Sequence, residues 1–368
     1  MKVIIFFTYG ISLLDWKKSG LFERELKLYE HLATSYGLEF IFVTYGDDSD
    51  LEFEINEKIQ VIPIYKYISK KDNKFLEIIR SLFYARKIQE LIPFENSLMK
   101  TNQLWGSWIP VIIKIRTNRP LIIRTGYDLL TFKKKANSPK IFIFLYKLLT
   151  RISLYYSDYY LVSSSEDLRF LNNQFPRYKE KILKHPNWVE APSPTMKTKK
   201  DRIISVGRLE DQKNYSFLIN SFSNSDFEID IIGDGSEKES LVQLANQRNA
   251  NINFIGRISN SDLQIKLSEY KYYVTSTKYE GNPKSILEAM SAGCIVIAPN
   301  VTGVNEIIEN DVNGILYEFD TVDLPALIQS LDSEQEKKLA KNAIDFIISN
   351  HKLDLIAKVE ANLYEELF

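Results

Sequence analysis

Fifteen residues, Tyr279-Glu280-Gly281-Asn282-Pro283-Lys284-Ser285-Ile286-Leu287-Glu288-Ala289-Met290-Ser291-Ala292-Gly293, restrict the fold more than any other stretch. Before them runs the apolar segment Tyr272 to Ser276, and after them Cys294 to Ala298, each short enough for a buried strand. Between the two, Ile286, Leu287, Ala289 and Met290 recur at helical spacing. Asn282 is read as the helix N-cap, Pro283 as its first residue and Gly293 as its terminator. Strand, loop, helix and strand in that order form one unit of a parallel α/β sheet.

The chemistry of the unit sits at its front end. A helix N-terminus presents unpaired backbone N–H groups and a partial positive charge, both suited to phosphate. Glu280 lies just before the helix, at the carboxyl end of the preceding strand, where open α/β sheets bind ligands. Glu288 lies eight positions later, inside the helix. Carboxylates accept hydrogen bonds from hydroxyls and repel anions. Two of them around a phosphate-binding helix start suit a ligand with phosphates in its middle and hydroxyls at each end, which describes a nucleotide sugar. Without their context the same two residues read as a loop charge and a solvated helix charge.

An upstream segment supplies that context. Ser205-Val206-Gly207-Arg208-Leu209, then Lys213-Asn214, places a glycine, a planar fork and a point charge after another strand. The frame E-G-x-P-x-x-x-L-E-A-M-x-x-G and the segment V-G-R-L-x-x-x-K-N together resemble the retaining glycosyltransferases of the GT-B fold, glycosyltransferase family 4 in particular. The resemblance is detailed from about Arg202 to Gly314.

That resemblance implies a fold of two Rossmann-like parallel-sheet domains facing across a cleft. It implies that Arg208 and Lys213 hold the donor diphosphate and stabilise the charge growing on it as the sugar leaves. Glu288 takes ribose hydroxyls and Glu280 sugar hydroxyls. Gly207, Gly281, Asn282, Pro283, Lys284, Ser285 and Ile286 lie along the donor, as does Gly233 at another ligand-edge loop, and Arg257 and Ile258 meet the nucleobase. The implied reaction retains the anomeric configuration.

At 368 residues the chain suits two domains, 1–186 and 187–352, with the last helix, 353–368, returning to the first. His185-Pro186-Asn187-Trp188-Val189-Glu190, followed by a proline-rich stretch, reads as the linker and resembles the family's hinge segment. Residues 1–190 carry 29 Lys+Arg against 21 Asp+Glu, whereas the remainder carries 18 against 27. Attraction between two oppositely charged domains explains this blandly; contact of the first domain with an anionic membrane surface or phosphorylated acceptor explains it more sharply. No nucleic-acid motif accompanies the basic charge. The single cysteine, Cys294, excludes an internal disulfide and suits a reducing compartment. The start, Met1 to Phe7, is too short an apolar run for a signal peptide. A cytoplasmic protein is expected, free or peripheral at the inner face of the membrane.

Along the first half, 3–10 reads as a strand, 11–19 as a loop and 20–36 as a helix. Gly20 is either a phosphate approach at that helix start or plain turn chemistry. Asp48-Ser49-Asp50 reads as a solvated acidic loop rather than a metal pair, and no metal or cofactor is called for. A helix over 74–91 should face Phe75, Ile78, Ile79, Leu82 and Phe83 inward. Asn102 and Gln103 end one strand, ahead of Trp105 and Trp108; Arg124, Tyr127 and Asp128 end the next. These five polar residues are the acceptor-side candidates. Asp128 either deprotonates an acceptor hydroxyl or merely caps a helix or pairs with Arg124. The apolar, basic-rimmed segment 139–157 is either a buried helix or a membrane-surface one. Ser333 and Glu336 have capping-box spacing.

The function expected is transfer of a sugar from a UDP- or GDP-linked donor to a saccharide or lipid-linked saccharide hydroxyl, in cell-surface polysaccharide or lipid-linked glycan synthesis. A GT-B protein that binds a nucleotide sugar or a partner without turnover, and a nucleotide-sugar epimerase, are the alternatives.

Overall fold

The computed structural model describes residues 1–126, 139–190 and 199–368. The chain divides into two compact units, Met1–Pro186 with Ile356–Phe368, and Asn187–Leu355.

The first unit holds seven parallel strands in the order β3-β2-β1-β4-β5-β6-β7. They are β1 (Lys2–Phe6), β2 (Glu39–Thr44), β3 (Ile59–Pro63), β4 (Ser97–Thr101), β5 (Leu121–Thr125), β6 (Tyr159–Val162) and β7 (Ile182–Lys184). The second holds six in the order β10-β9-β8-β11-β12-β13: β8 (Lys200–Val206), β9 (Ile229–Ile232), β10 (Ile252–Gly256), β11 (Tyr270–Val274), β12 (Ile295–Pro299) and β13 (Ile315–Tyr317). The central strands are near-continuous runs of Val, Ile, Leu and aromatic residues because helices cover both faces of a parallel sheet. In each unit the strand order reverses beside the first strand. β1 pairs with β2 and β4, and β8 pairs with β9 and β11. Loops leaving the carboxyl ends of those strands therefore diverge and leave room for a ligand.

Several local expectations give way to tertiary structure. The loop after β1 contains a helix, Leu13–Lys18, closed at its start by a capping box between Ser12 and Asp15. The next helix is Phe22–Ser35. Asp50 is not solvated: it is buried, with Thr44 donating to it at 2.6 Å and the Leu14 amide at 3.2 Å. Neighbouring Asp48 does stay exposed and pairs with Lys66. The capping box expected from Ser333 is made one residue earlier, by Asp332 and Gln335.

The expected helix over 74–91 is two helices, Lys74–Ser81 and Tyr84–Leu91, broken at Leu82-Phe83. Its burial is the reverse of the expectation. Glu77 and Ser81 face inward, whereas Phe75, Ile79, Leu82 and Phe83 are exposed. The helix Lys140–Tyr156 likewise buries Thr150, Ser153 and Leu154 and exposes most of its large apolar side chains, so the buried-helix reading fails there.

The last helix, Leu353–Leu367, brings Glu360 and Tyr364 to Lys100 of β4 inside the first unit. Lys100, Glu360 and His185 are all buried, with His185 Nε2 3.3 Å from Glu360 Oε2. Burial alone would raise the Glu360 pKa, but the charges of Lys100 and His185 and hydrogen bonds from Lys100 and Tyr364 hold it at about 2. Burial lowers the pKa of His185 to about 4 despite Glu360.

Candidate functional site

In the second unit the candidate donor-site residues gather at the carboxyl edge of β8 and β11. Gly207 leaves β8 with its N–H bonded to Ile232 O at 3.0 Å. The Leu209 N–H reaches Asp234 O at 3.1 Å, and Leu209 O accepts from Glu237 at 3.0 Å. Two backbones therefore run side by side, 207–209 against 233–237. A Cβ on Gly233, whose φ is +146°, would lie 1.8 Å from Gly207 O. Only glycine fits there, and that closeness fixes where the rest of the loop goes.

The rest of the loop is stitched to the segment after β11. Gln212 accepts from the Lys278 N–H at 2.9 Å, and its side chain donates to Tyr279 O at 2.9 Å. The Ser276 hydroxyl donates to Lys213 O and Asn214 O at 3.0 and 2.9 Å. These bonds hold Lys213 and Glu280 together, with Lys213 Nζ 2.5 Å from Glu280 Oε1 and both side chains largely buried. Glu280 is anchored from beneath by its own N–H, which donates to Thr302 O at 2.9 Å. Gly303, at φ +81°, passes so close that a Cβ would lie 2.3 Å from Glu280 O.

The helix following Glu280 runs Lys284–Ser291 and differs in its cap from the sequence expectation. Pro283 occupies the N-cap position, and Asn282 is not a cap. Its side-chain oxygen accepts from the Asn187 N–H at 2.9 Å, while the Asn187 amide donates to Asn282 O at 2.7 Å. This reciprocal pair ties the hinge segment to the loop entering the helix. Lys284 Nζ lies 3.9 Å from the centroid of the Trp188 ring, a cation–π contact. Ser285 receives the Tyr273 hydroxyl at 3.0 Å, and burial drives the pKa of that tyrosine far up, so it is a neutral donor.

Glu288, one turn into the helix, is only 3% exposed. The Asn260 amide donates to it at 3.2 Å, from the first residue of the helix Asn260–Ser268 that follows β10. Arg208 is exposed and pairs with Glu210 at 3.0 Å. Arg257 sits after β10 with Nε 3.6 Å from Asp234, and Ile258 packs against the sheet's core. Lys213 is thus presented by the loop after β8, Glu280 and the start of the helix by the loop after β11, and Glu288 by the helix itself, all within a single unit.

Sequence reading missed Asn260, Ser276 and Gln212. No periodicity marks a polar residue whose task is to hold another loop. The Asn187–Asn282 pair has one sequence signal, the hinge-like segment around Asn187.

The first unit carries the acceptor-side candidates. Asn102 is buried after β4 and accepts from the Tyr29 hydroxyl at 2.7 Å. Gln103 accepts from the Gly126 N–H at 3.1 Å. Arg124, in β5, has its N–H on the Thr101 hydroxyl at 3.1 Å. Gly20 lies between two helices at φ +71°, and its N–H is spent on Lys17 O at 3.1 Å, the arrangement of a turn. Tyr127 and Asp128 lie outside the described residues. Among the described residues, no three His, Cys, Asp or Glu side chains gather as a metal site. No helix among them is long and apolar enough to cross a membrane.

Residues 187–346 match the family of glycosyl transferases group 1. This chain carries a glycosyl transferases group 1 domain. The domain begins at the hinge residue Asn187 and takes in Gly207, Arg208, Lys213, Glu280 and Glu288. Over 319 residues the chain is 28% identical to an uncharacterized glycosyltransferase of Methanocaldococcus jannaschii, covering 78% of this chain and 74% of that one. Its fold is shared with sucrose-phosphate synthase from Thermosynechococcus elongatus, at TM-score 0.78, 16% identity and coverage of 100% and 99%. It is shared too with Anabaena HepE, solved in complex with UDP-glucose, at TM-score 0.75, 16% identity and complete coverage of both chains. Around the group 1 domain the chain therefore has the GT-B fold of two Rossmann-like parallel-sheet domains.

Proposed function

We propose that this protein transfers a sugar from a nucleoside diphosphate sugar, UDP- or GDP-linked, to a hydroxyl acceptor with retention at the anomeric carbon, in the assembly of cell-surface polysaccharide or lipid-linked glycan. The observation that carries the reading is the meeting of Lys213 and Glu280 at the head of the helix Lys284–Ser291, with Glu288 buried one turn further on. One cation, one helix N-terminus and two separated carboxylates match a ligand with a diphosphate between two polyols.

In this reading Glu288 accepts from ribose hydroxyls, steadied by Asn260. Gly207 and the amides near Gly281 to Ser285 approach the phosphates, and Arg208 and Lys213 neutralise them. Glu280 holds Lys213 in place and accepts from the sugar. The bond from the anomeric carbon to the phosphate oxygen breaks as the bond to the acceptor oxygen forms on the same face. The acceptor proton passes to the departing diphosphate. Side-chain cations do the work that a metal ion does in other transferases, so no metal is required.

Thermal unfolding with UDP, GDP and ADP tests the reading. A nucleotide present at a hundred times its Kd stabilises the folded state by about 2.7 kcal/mol. Stabilisation by one of the three identifies the base. Stabilisation by none, together with no release of nucleoside diphosphate from any donor, overturns the reading.

A further inference from the structure

Two helices of the first unit are inside out. In Lys74–Ser81 the buried side chains are Glu77 and Ser81. The Tyr84 hydroxyl and the Lys71 N–H donate to the Glu77 carboxylate, and Trp108 Nε1 donates to the Ser81 hydroxyl at 2.9 Å. The apolar side chains point the other way, with Phe75 71% and Phe83 75% exposed and Leu76, Ile79 and Leu82 exposed between them. Lys140–Tyr156 repeats the inversion in part, burying Thr150 and Ser153 together with Leu154. Ser153 turns inward onto Ser107 at 2.9 Å, while Ile141 and Phe144, 60% and 61% exposed, stand outward with Phe142, Leu145, Leu148 and Ile152.

A helix whose polar side chains satisfy one another inside and whose phenylalanines face outward is built for an apolar partner. In water the arrangement forgoes the burial that ordinarily stabilises an amphipathic helix.

The two inverted helices are linked. Trp108, bonded to Ser81, stands edge-on to Trp105 at 5.0 Å, and Trp105 packs on Tyr146 of the longer helix at 5.7 Å. The charge around them is mostly basic. Lys140–Tyr156 contains Lys140, Lys147 and Arg151 and no acidic residue. Lys70 and Lys71 precede the other helix and Lys74 and Arg80 lie on it, against one exposed acidic neighbour, Asp72, since Glu77 is turned inside, where it pairs with Arg80.

We propose that this face seats on an anionic lipid bilayer surface. Outward phenylalanine, leucine and isoleucine with basic side chains at the margin is the pattern of an interfacial helix, its apolar side entering the acyl boundary and its cations at the headgroups. The same charge argues against a second copy as occupant. A two-fold contact would bring the basic residues Lys140, Lys147 and Arg151 of one copy up against the same basic face of the other. The surface goes beyond the transferase reading, because nothing in it depends on the donor site.

The test is flotation of the full chain, without nucleotide, on vesicles of phosphatidylcholine alone or mixed with phosphatidylglycerol. Binding to the mixed vesicles is expected to exceed that to phosphatidylcholine by at least about tenfold and to fall at high salt. The quadruple variant Phe75→Glu, Phe83→Glu, Ile141→Glu, Phe144→Glu is expected to lose it, as is Lys140→Glu, Lys147→Glu, Arg151→Glu. These positions are exposed, so both variants should keep the wild-type unfolding midpoint. Wild type left unbound, or variants that bind as well as wild type, would overturn the proposal. So would a dimer seen by light scattering that the apolar substitutions dissociate, since the face would then belong to a second copy.

Discussion

Lys213 Nζ and Glu280 Oε1 lie 2.5 Å apart although 67 positions separate them in the chain. Neither side chain reaches the other by local structure. The ladder of bonds from Gln212, Ser276 and Thr302 brings their loops together. In the proposed mechanism this pair acts as a unit: the carboxylate aims the ammonium, and the ammonium meets the diphosphate.

Removing either partner should therefore cost much the same. Lys213→Ala and Glu280→Gln are each expected to lower kcat by about 10²- to 10³-fold. The double variant should lose little more than the worse single one, because coupled groups are not additive. Nucleoside diphosphate release under saturating donor measures all three. Multiplying losses would mean that the two residues act separately.

Glu288→Ala should weaken nucleotide binding by about 1.5–3 kcal/mol, the cost of removing a charged hydrogen-bond acceptor. Asn260→Ala, which leaves the carboxylate but frees its orientation, should have the same sign and a smaller size. Isothermal titration with the diphosphate that stabilises the protein gives both values. An unchanged Kd in Glu288→Ala would remove that residue from the site.

The glycines at the loop crossing can be ranked by geometry. Gly233→Ala forces a Cβ to 1.8 Å from Gly207 O, and Gly303→Ala forces one to 2.3 Å from Glu280 O. Each should destabilise the second unit by about 2–4 kcal/mol. Gly256, at φ +87° with open space around its Cβ position, should cost only about 1–2 kcal/mol on alanine substitution. Urea unfolding followed by circular dichroism orders the three, and a costlier Gly256→Ala than Gly233→Ala would contradict the packing.

The buried Lys100, Glu360 and His185 cluster makes stability depend on pH. His185 titrates at about 4 when folded, below its ordinary 6.5, so the unfolded chain binds its proton first. Stability should fall as pH drops from 6.5 toward 4, by roughly 3 kcal/mol from this residue. Glu360, held at about 2 against an ordinary 4.5, adds a second loss with the same sign between 4.5 and 2. His185→Phe should flatten the upper part of the profile. Glu360→Gln leaves Lys100 buried without its carboxylate and should cost about 3–5 kcal/mol at neutral pH, with Lys100→Met added to it recovering part of the loss.

The elements were legible wherever local chemistry decides them. The hydrophobic runs of β1, β8, β11 and β12 have the composition of strands covered on both faces, and the sequence around Glu280 and Glu288 has the order strand, loop, helix, strand. Ser164 caps its helix through the Asp167 N–H as its residue type suggests. Helix orientation was less legible. Phe75, Ile79, Leu82 and Phe83 have the spacing of a core-facing stripe, yet they face outward. Periodicity reports that a helix has two unlike faces, and only the neighbours decide which one is buried. Here the neighbours of Lys74–Ser81 include Tyr84 and Trp108, whose hydroxyl and indole N–H select the side chains of Glu77 and Ser81, while the Tyr9 hydroxyl donates to the Glu77 backbone carbonyl.

By itself, then, the sequence determined the parallel α/β class, the family resemblance and which residues are candidates for the site, because these depend on residue type and short spacing. The tertiary structure decided that Asn282 pairs with Asn187 instead of capping a helix, that Lys213 meets Glu280, and that Asp50 is buried. Each of these is a contact between loops far apart in the chain, chosen by which backbone groups remain to be satisfied once the sheets have assembled.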